Sequence, residues 1–253
     1  ALLTLSAWGE REATAFPWLT QPPADSVASA RRLLVRLGAI DDDGSLSPVG
    51  SRMFAVPLHP RMARFMIEAA RLGIADDAAL AAAMLTERDP VADNQQPPNR
   101  SAPTHSRCDV TDRLERLKAL CAGGKAAAGG RSSAGHIQRV ARQILRSVQS
   151  IPIDESTPET NRDDALKLAL LAAFPDRLAR RREPDGDRGI MVGGRGVILS
   201  KHSQARPGKF FLCIDVDGKG TDALVRSASV VDAQWLDPAK VRQLDVPFFD
   251  SKQ

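Results

Sequence analysis

Tyrosine is absent from this chain, and aromatic residues of all kinds fill only 4% of its 253 positions. The 8 phenylalanines fall mostly in core-like patterns, so a surface that works by aromatic stacking has little to draw on. Cys108, Cys121 and Cys213 form an odd set with no C-x-x-C spacing. That argues against a disulfide framework or a structural zinc site and makes a reducing cytoplasm the expected setting. His59, His105, His136 and His202 stand singly, without the spacing a metal needs. No apolar run approaches the roughly 20 residues that span a bilayer, so no membrane partner is expected. Ala1-Leu-Leu-Thr-Leu5 lacks a basic lead and does not read as a signal peptide. The start at Ala1 and the apolar Val246-Pro-Phe-Phe249 near the end give the expectation of a piece of a longer protein.

Nucleotide chemistry is missing too. A phosphate-cradling loop needs glycines followed by Lys and Ser/Thr at a helix start. Gly123-Gly124-Lys125 comes nearest, but Ala119 occupies the upstream glycine position and Ala126 replaces the hydroxyl. Asp154-Glu155-Ser156-Thr157 follows no strand and is not the acidic box of a motor. Gly193-Gly194-Arg195-Gly196 reads as a turn, since Leu199 fills the place of the last glycine in G-x-G-x-x-G. No nucleophile elbow is present. The expectation is no catalytic residue, no metal and no cofactor in this chain.

What is present is order. A helix is predicted over about Ser26–Leu37, ending at Gly38, then a short hairpin through Asp41-Asp42-Asp43-Gly44. Ser47-Pro48 and His59-Pro60 read as two helix starts, each a cap followed by proline, joined by Val56-Pro57-Leu58. Helices follow over Pro60–Leu72, Asp77–Leu85, Asp109–Leu120, Gly135–Gln149 and Asp163–Phe174. Between them lie a polar, proline-rich loop (Asp93–Ser106), predicted to be mobile, and a Gly/Ala/Ser linker (Gly123–Gly135). Ile137, Val140, Ala141, Ile144, Leu145 and Val148 keep the helical period without a miss. After Pro175 the pattern changes to short strands with glycine turns: 189–192, 196–199, 210–216 and 223–229. That suggests a small antiparallel barrel, OB-like, with a closing helix at 231–236. The fold class is therefore α+β and multidomain: winged helix (1–58), helical bundle (59–174), barrel (175–253).

Net charge is +4 with a pI near 9.2, which permits an anionic partner without demanding one. The arginines, however, are grouped. Arg139, Arg142 and Arg146 lie opposite the apolar stripe of their helix, in a stretch from Arg131 to Gln149 without an acid. Arg177, Arg180, Arg181 and Arg182 stand at the helix-to-barrel junction, with Arg188 and Arg195 on the first hairpin. The guanidinium fork suits phosphate, and a groove lined this way tracks single-stranded RNA without reading its sequence. A solvated helix face competes with this for the helical trio, and Glu183, Asp185 and Asp187 neutralise part of the second group. Phe210 and Phe211 alternate, so one faces away from the barrel core.

Several segments carry a resemblance. Ala7-Trp8-Gly9, Phe16-Pro17-Trp18-Leu19, Pro22-Pro23, Leu37-Gly38-Ala39, Asp43 to Gly50, Pro57 to Ala63, Glu87-Arg88-Asp89-Pro90 and Ala172 to Arg182 resemble, in this order, the C-terminal accessory part of the HrpB group of bacterial DEAH/DExH-box RNA helicases. The loop Asp93–Ser106 and the linker Gly123–Gly135 depart from the pattern and look longer. The resemblance implies a winged helix acting as hinge, a ratchet-like bundle and an OB-like barrel that close over an exiting RNA strand. It also implies RecA-like motor domains in the same parent chain, which hold ATP and Mg and hydrolyse the nucleotide. The start of an HrpB-specific C-terminal region would follow the barrel. Two other readings compete: a free-standing winged-helix DNA-binding regulator, and a protein-interaction scaffold. The aromatic cluster Trp8, Phe16 and Trp18 is expected to pack against something outside this chain.

Overall fold

The computed structural model describes residues 1–87, 107–122, 133–153, 160–218 and 222–238. The loop at Asp93–Ser106, most of the linker, Gly123-Gly124-Lys125, Asp154 to Thr157 and Val246 to Phe249 lie outside the described residues.

The first unit holds α1 (Leu2–Ala7), which the sequence pattern does not announce, α2 (Ala24–Arg36) and α3 (Pro48–Ala55). An isolated bridge between Ile40 and Leu46 forms the wing. Ser47 fixes the start of α3 in two directions. Its hydroxyl accepts from the Gly50 amide at 2.8 Å and donates to the Gly38 carbonyl at 2.5 Å. One side chain thereby caps α3 and ties it to the end of α2. Gly50 is sterically required, because a Cβ there would sit 1.9 Å from the Ala39 carbonyl oxygen.

The bundle comprises α4 (Pro60–Arg71), α5 (Ala75–Thr86), α6 (Asp109–Ala122), α7 (Ser133–Gln149) and α8 (Arg162–Ala173). As predicted, His59 caps α4 by accepting from the Arg61 amide at 3.3 Å. α4 buries Met62, Phe65, Met66 and Ala69. α5 offers a face of alanines (Ala78, Ala79, Ala81, Ala82, Ala83), which lets α7 pack closely on it. Lys167 in α8 is buried but held by Asp163 at 2.5 Å and Asp164 at 3.3 Å, so its charge is paired.

A 3₁₀ turn (Pro175–Arg177) leads into the barrel: β1 (Leu178–Arg181), β2 (Arg188–Met191), β3 (Gly196–Leu199), β4 (Phe210–Val216) and β5 (Ala223–Val231). β1 lies where the sequence reading placed only a basic junction. β5 runs on to Val231, and a single 3₁₀ turn (Ala233–Trp235) replaces the expected closing helix. The strands close in the order β1-β2-β3-β5-β4. All pairs are antiparallel except β3 with β5, which is parallel. A ring of five strands cannot alternate direction all the way round, so one parallel pair is unavoidable. Ala179, Val197, Leu199, Phe211, Cys213, Val225 and Val230 fill the interior. Gly189 leaves room for Phe211, whose ring would lie 2.8 Å from a Cβ at that position. The opposite face of β4, with Leu212 and Ile214, joins the helical core. Burial on both faces explains why β4 reads as an unbroken apolar run.

Candidate nucleic-acid interface

Strand alternation sorts the junction arginines. On β1, Ala179 and Arg181 point into the barrel, whereas Arg180 points out. Arg181 is buried at 4% exposure. Its guanidinium donates to the carbonyls of Gly208 (2.7 Å), Gly186 and Ala205, and stacks 4.7 Å from the Phe211 ring centre. With its donors committed inward, Arg181 is a structural arginine, and the expectation that it meets RNA is corrected. Arg177 is half-buried, donates to the Ile214 carbonyl at 2.7 Å and lies over the Phe174 ring. It too helps to hold the fold.

Arg180, Arg182 and Arg188 remain exposed and are brought together. Arg180 pairs in register with Ile190 of β2, two residues from Arg188 on the same outward face. The Arg182 amide donates to the Arg188 carbonyl. One acid, Asp222, approaches Arg182 at 4.0 Å. Arg195 sits past the Gly193-Gly194 turn and donates to the Gly218 carbonyl at 2.9 Å. Between these cations lie the exposed aliphatics Ile190, Val192 and Leu224. Phe210 is the phenylalanine that turns outward. It is half-buried against the helical core with Lys209 over its ring, which leaves no open aromatic platform there.

On α7 the helical period does the sorting. Ile137, Ala141, Ile144 and Val148 are buried, and Arg139, Arg142 and Arg146 are exposed. Arg142 also lines a groove of about 420 Å³ between α5 and α7, with Asp76, Ala79, Leu80, Gln138, Ala141 and Leu145. The structure does not merge this trio with the barrel arginines. α7 packs on α5, α6 and α4, while the barrel meets α6 and α8.

The link between the two bodies is a residue the sequence reading named only as a helix start. Asp109 at the head of α6 is buried, and its carboxylate accepts from Ser203 Oγ (2.7 Å), the Gln204 amide (2.7 Å) and the Ala228 amide (2.8 Å). Burial pushes its pKa up against the pull of those three donors. Local sequence cannot announce partners that lie 94, 95 and 119 positions away. A second pin joins α4 to the 3₁₀ turn: Arg61 makes a bidentate pair with Asp176 at 2.7 and 2.8 Å.

Three free cysteines, no candidate metal cluster and no helix long and apolar enough to cross a membrane are found among the described residues.

The description "Helicase associated domain (HA2), winged-helix" matches residues 30–58, and "Helicase associated domain (HA2), ratchet-like" matches residues 59–143. Along its whole length the chain is 28% identical to ATP-dependent RNA helicase HrpB of Escherichia coli strain K12, over 258 aligned residues. The chain is thus similar over its whole length to a part of an HrpB-type helicase. The crystal structure of E. coli DExH-box NTPase HrpB superposes with a TM-score of 0.63 at 26% identity, covering 92% of this chain and 24% of that one. The chain is also 32% identical over 85 residues to the pre-mRNA-splicing factor ATP-dependent RNA helicase prp22 of Schizosaccharomyces pombe, covering 34% of this chain and 7% of that protein. It spans 27% of the length of the HrpB relative. The winged helix, the ratchet-like bundle and the closed barrel are thus together similar to a part of HrpB, the family that the sequence segments resemble.

Proposed function

We propose that this chain guides single-stranded RNA as the accessory region of a cytoplasmic ATP-dependent RNA helicase. The observation that carries this is the outward set Arg180, Arg182 and Arg188 on the barrel; the exposed arginines of α7 form a second, separate basic face. These fork-shaped donors engage phosphate oxygens and leave bases unread, so binding is sequence-tolerant. ATP and Mg belong to RecA-like domains elsewhere in the parent protein, and this chain supplies the track. The winged helix offers those domains a surface: Trp8 is 69% exposed, Leu19 is fully exposed and Phe54 is exposed, while Phe16 and Trp18 pack edge to face at 5.0 Å. The barrel is read as OB-like.

The DNA-regulator reading is disfavoured by α2. Arg31, one of its few basic residues, donates to the Asp42 carbonyl at 2.8 Å, and the wing carries Asp41, Asp42 and Asp43. Acids there repel the duplex backbone.

The test is fluorescence anisotropy of labelled oligoribonucleotides, single-stranded against duplex, at low and moderate salt. Weak, salt-sensitive binding that prefers the single strand is expected. Equal or better binding of duplex DNA returns the regulator reading, and no binding at low salt returns the scaffold.

A further inference from the structure

The connection between β3 and β4, residues 200–209, was not singled out by its sequence. It reads Ser-Lys-His-Ser-Gln-Ala-Arg-Pro-Gly-Lys and contains no acid. In the structure it is held from two sides by buried charges. Asp109 of α6 takes the Ser203 hydroxyl and the Gln204 amide. Arg181 of β1 takes the carbonyls of Ala205 and Gly208. The loop also closes on itself, because Arg206 donates to the Lys201 carbonyl at 3.1 Å while pairing with Asp187 at 2.6 Å. The ties are made by Asp109, Arg181 and Arg206, and not by the ammonium groups of the two lysines. Lys201 and Lys209 are nevertheless exposed, Lys209 with its ammonium over the Phe210 ring, and neither makes an ion pair among the described residues.

The neighbouring charges sharpen the point. The adjoining β1–β2 loop contributes Glu183, Asp185 and Asp187. Asp187 is taken by Arg206, and Asp185 accepts from the Gly208 amide at 3.2 Å. Glu183, the third acid of that loop, is exposed and makes no side-chain ion pair among the described residues. From the helical side, Arg107 reaches the same end of the loop, its guanidinium 3.6 Å from where a Cβ of Gly208 would stand. The loop thus carries Lys201 and Lys209 as exposed cations on a fixed frame, with Arg107 beside its Gly208 end.

We infer that the loop 200–209, through Lys201 and Lys209 and with Arg107 beside it, binds the phosphate backbone of a single-stranded nucleic acid. This rests on the RNA-guiding reading and extends its track from the β1–β2 face to the loop rim of the barrel. The rigid frame matters because ordering the loop then costs little on binding. Bases stay unread there, since no aromatic side chain lies in the loop.

The experiment compares the full chain with K201A/K209A and with K201R/K209R, titrated with a labelled oligoribonucleotide over a series of salt concentrations. Both lysines are exposed, so both variants should fold with unchanged melting temperature. Each lost phosphate contact removes about 0.7 from the slope of log affinity against log salt. K201A/K209A should therefore flatten the slope by about 1.4, and K201R/K209R should restore it. An unchanged slope in K201A/K209A, with the parent chain still binding, overturns the loop assignment alone. Failure of the parent chain to bind overturns the RNA reading and this inference with it.

Discussion

The arginines of α7 and those of β1 look alike in sequence and part company in the fold. On α7 a spacing of three and four residues keeps Arg139, Arg142 and Arg146 on one exposed face. On β1 a period of two splits adjacent arginines, sending Arg180 to solvent and Arg181 to the barrel interior. A run of arginines is therefore a charge cluster only where the local period keeps its members together. In a strand, part of the run is recruited as scaffold.

The sharpest way to break this comparison is to remove Arg181. R181M leaves three carbonyls without their donor, and should cost about 3 kcal/mol in urea unfolding. R180A, one position away, should stay within about 0.5 kcal/mol. Equal costs would dissolve the distinction between the two residues. R61A comes next. It strands Asp176 and the Ala173 carbonyl at the bundle–barrel junction, for an expected loss of about 2 kcal/mol.

A pH series sharpens the picture further. Burial pulls Glu68 and Asp176 upward, but hydrogen bonds from Arg71 and Arg64, and from Arg61, outweigh it and hold both below their ordinary values. A lowered folded pKa gives stability that is present above the ordinary value and lost as pH falls through the folded one. Stability should thus decline as pH drops below 4.5, the ordinary value for Glu68, and D176N should shrink that decline. Asp109 runs the other way. Its raised pKa contributes stability below its ordinary 3.8, lost as pH rises through the folded value. Urea midpoints at several pH values check both signs. The smallest structural effect belongs to α7, where R142A/R146A should change stability by no more than about 0.5 kcal/mol.

Much of the architecture was legible because it is written locally. Ser47-Pro48 and His59-Pro60 signalled their caps, and the α7 stripe showed its buried face without help from the fold. The chain order of winged helix, bundle and barrel followed from the change of period at Pro175. What sequence did not show depends on distant partners. β1 was hidden because Leu-Ala-Arg-Arg carries too little apolar alternation to read as a strand. Arg181 looked like its neighbours because its carbonyl partners come from loops 5 to 27 positions away. Asp109 looked like an ordinary cap because Ser203, Gln204 and Ala228 meet it only in the folded chain.

The central claim is that exposed arginines contact the strand while buried ones hold the barrel. The measurement that tests it most directly is the salt dependence of RNA affinity for R180A/R182A beside R181K, with melting temperatures taken in parallel. R180A/R182A should flatten the slope by about 1.4 and leave the melting temperature unchanged. R181K should lower the melting temperature and leave the slope intact. A slope unmoved in R180A/R182A, or flattened in R181K, would contradict the account.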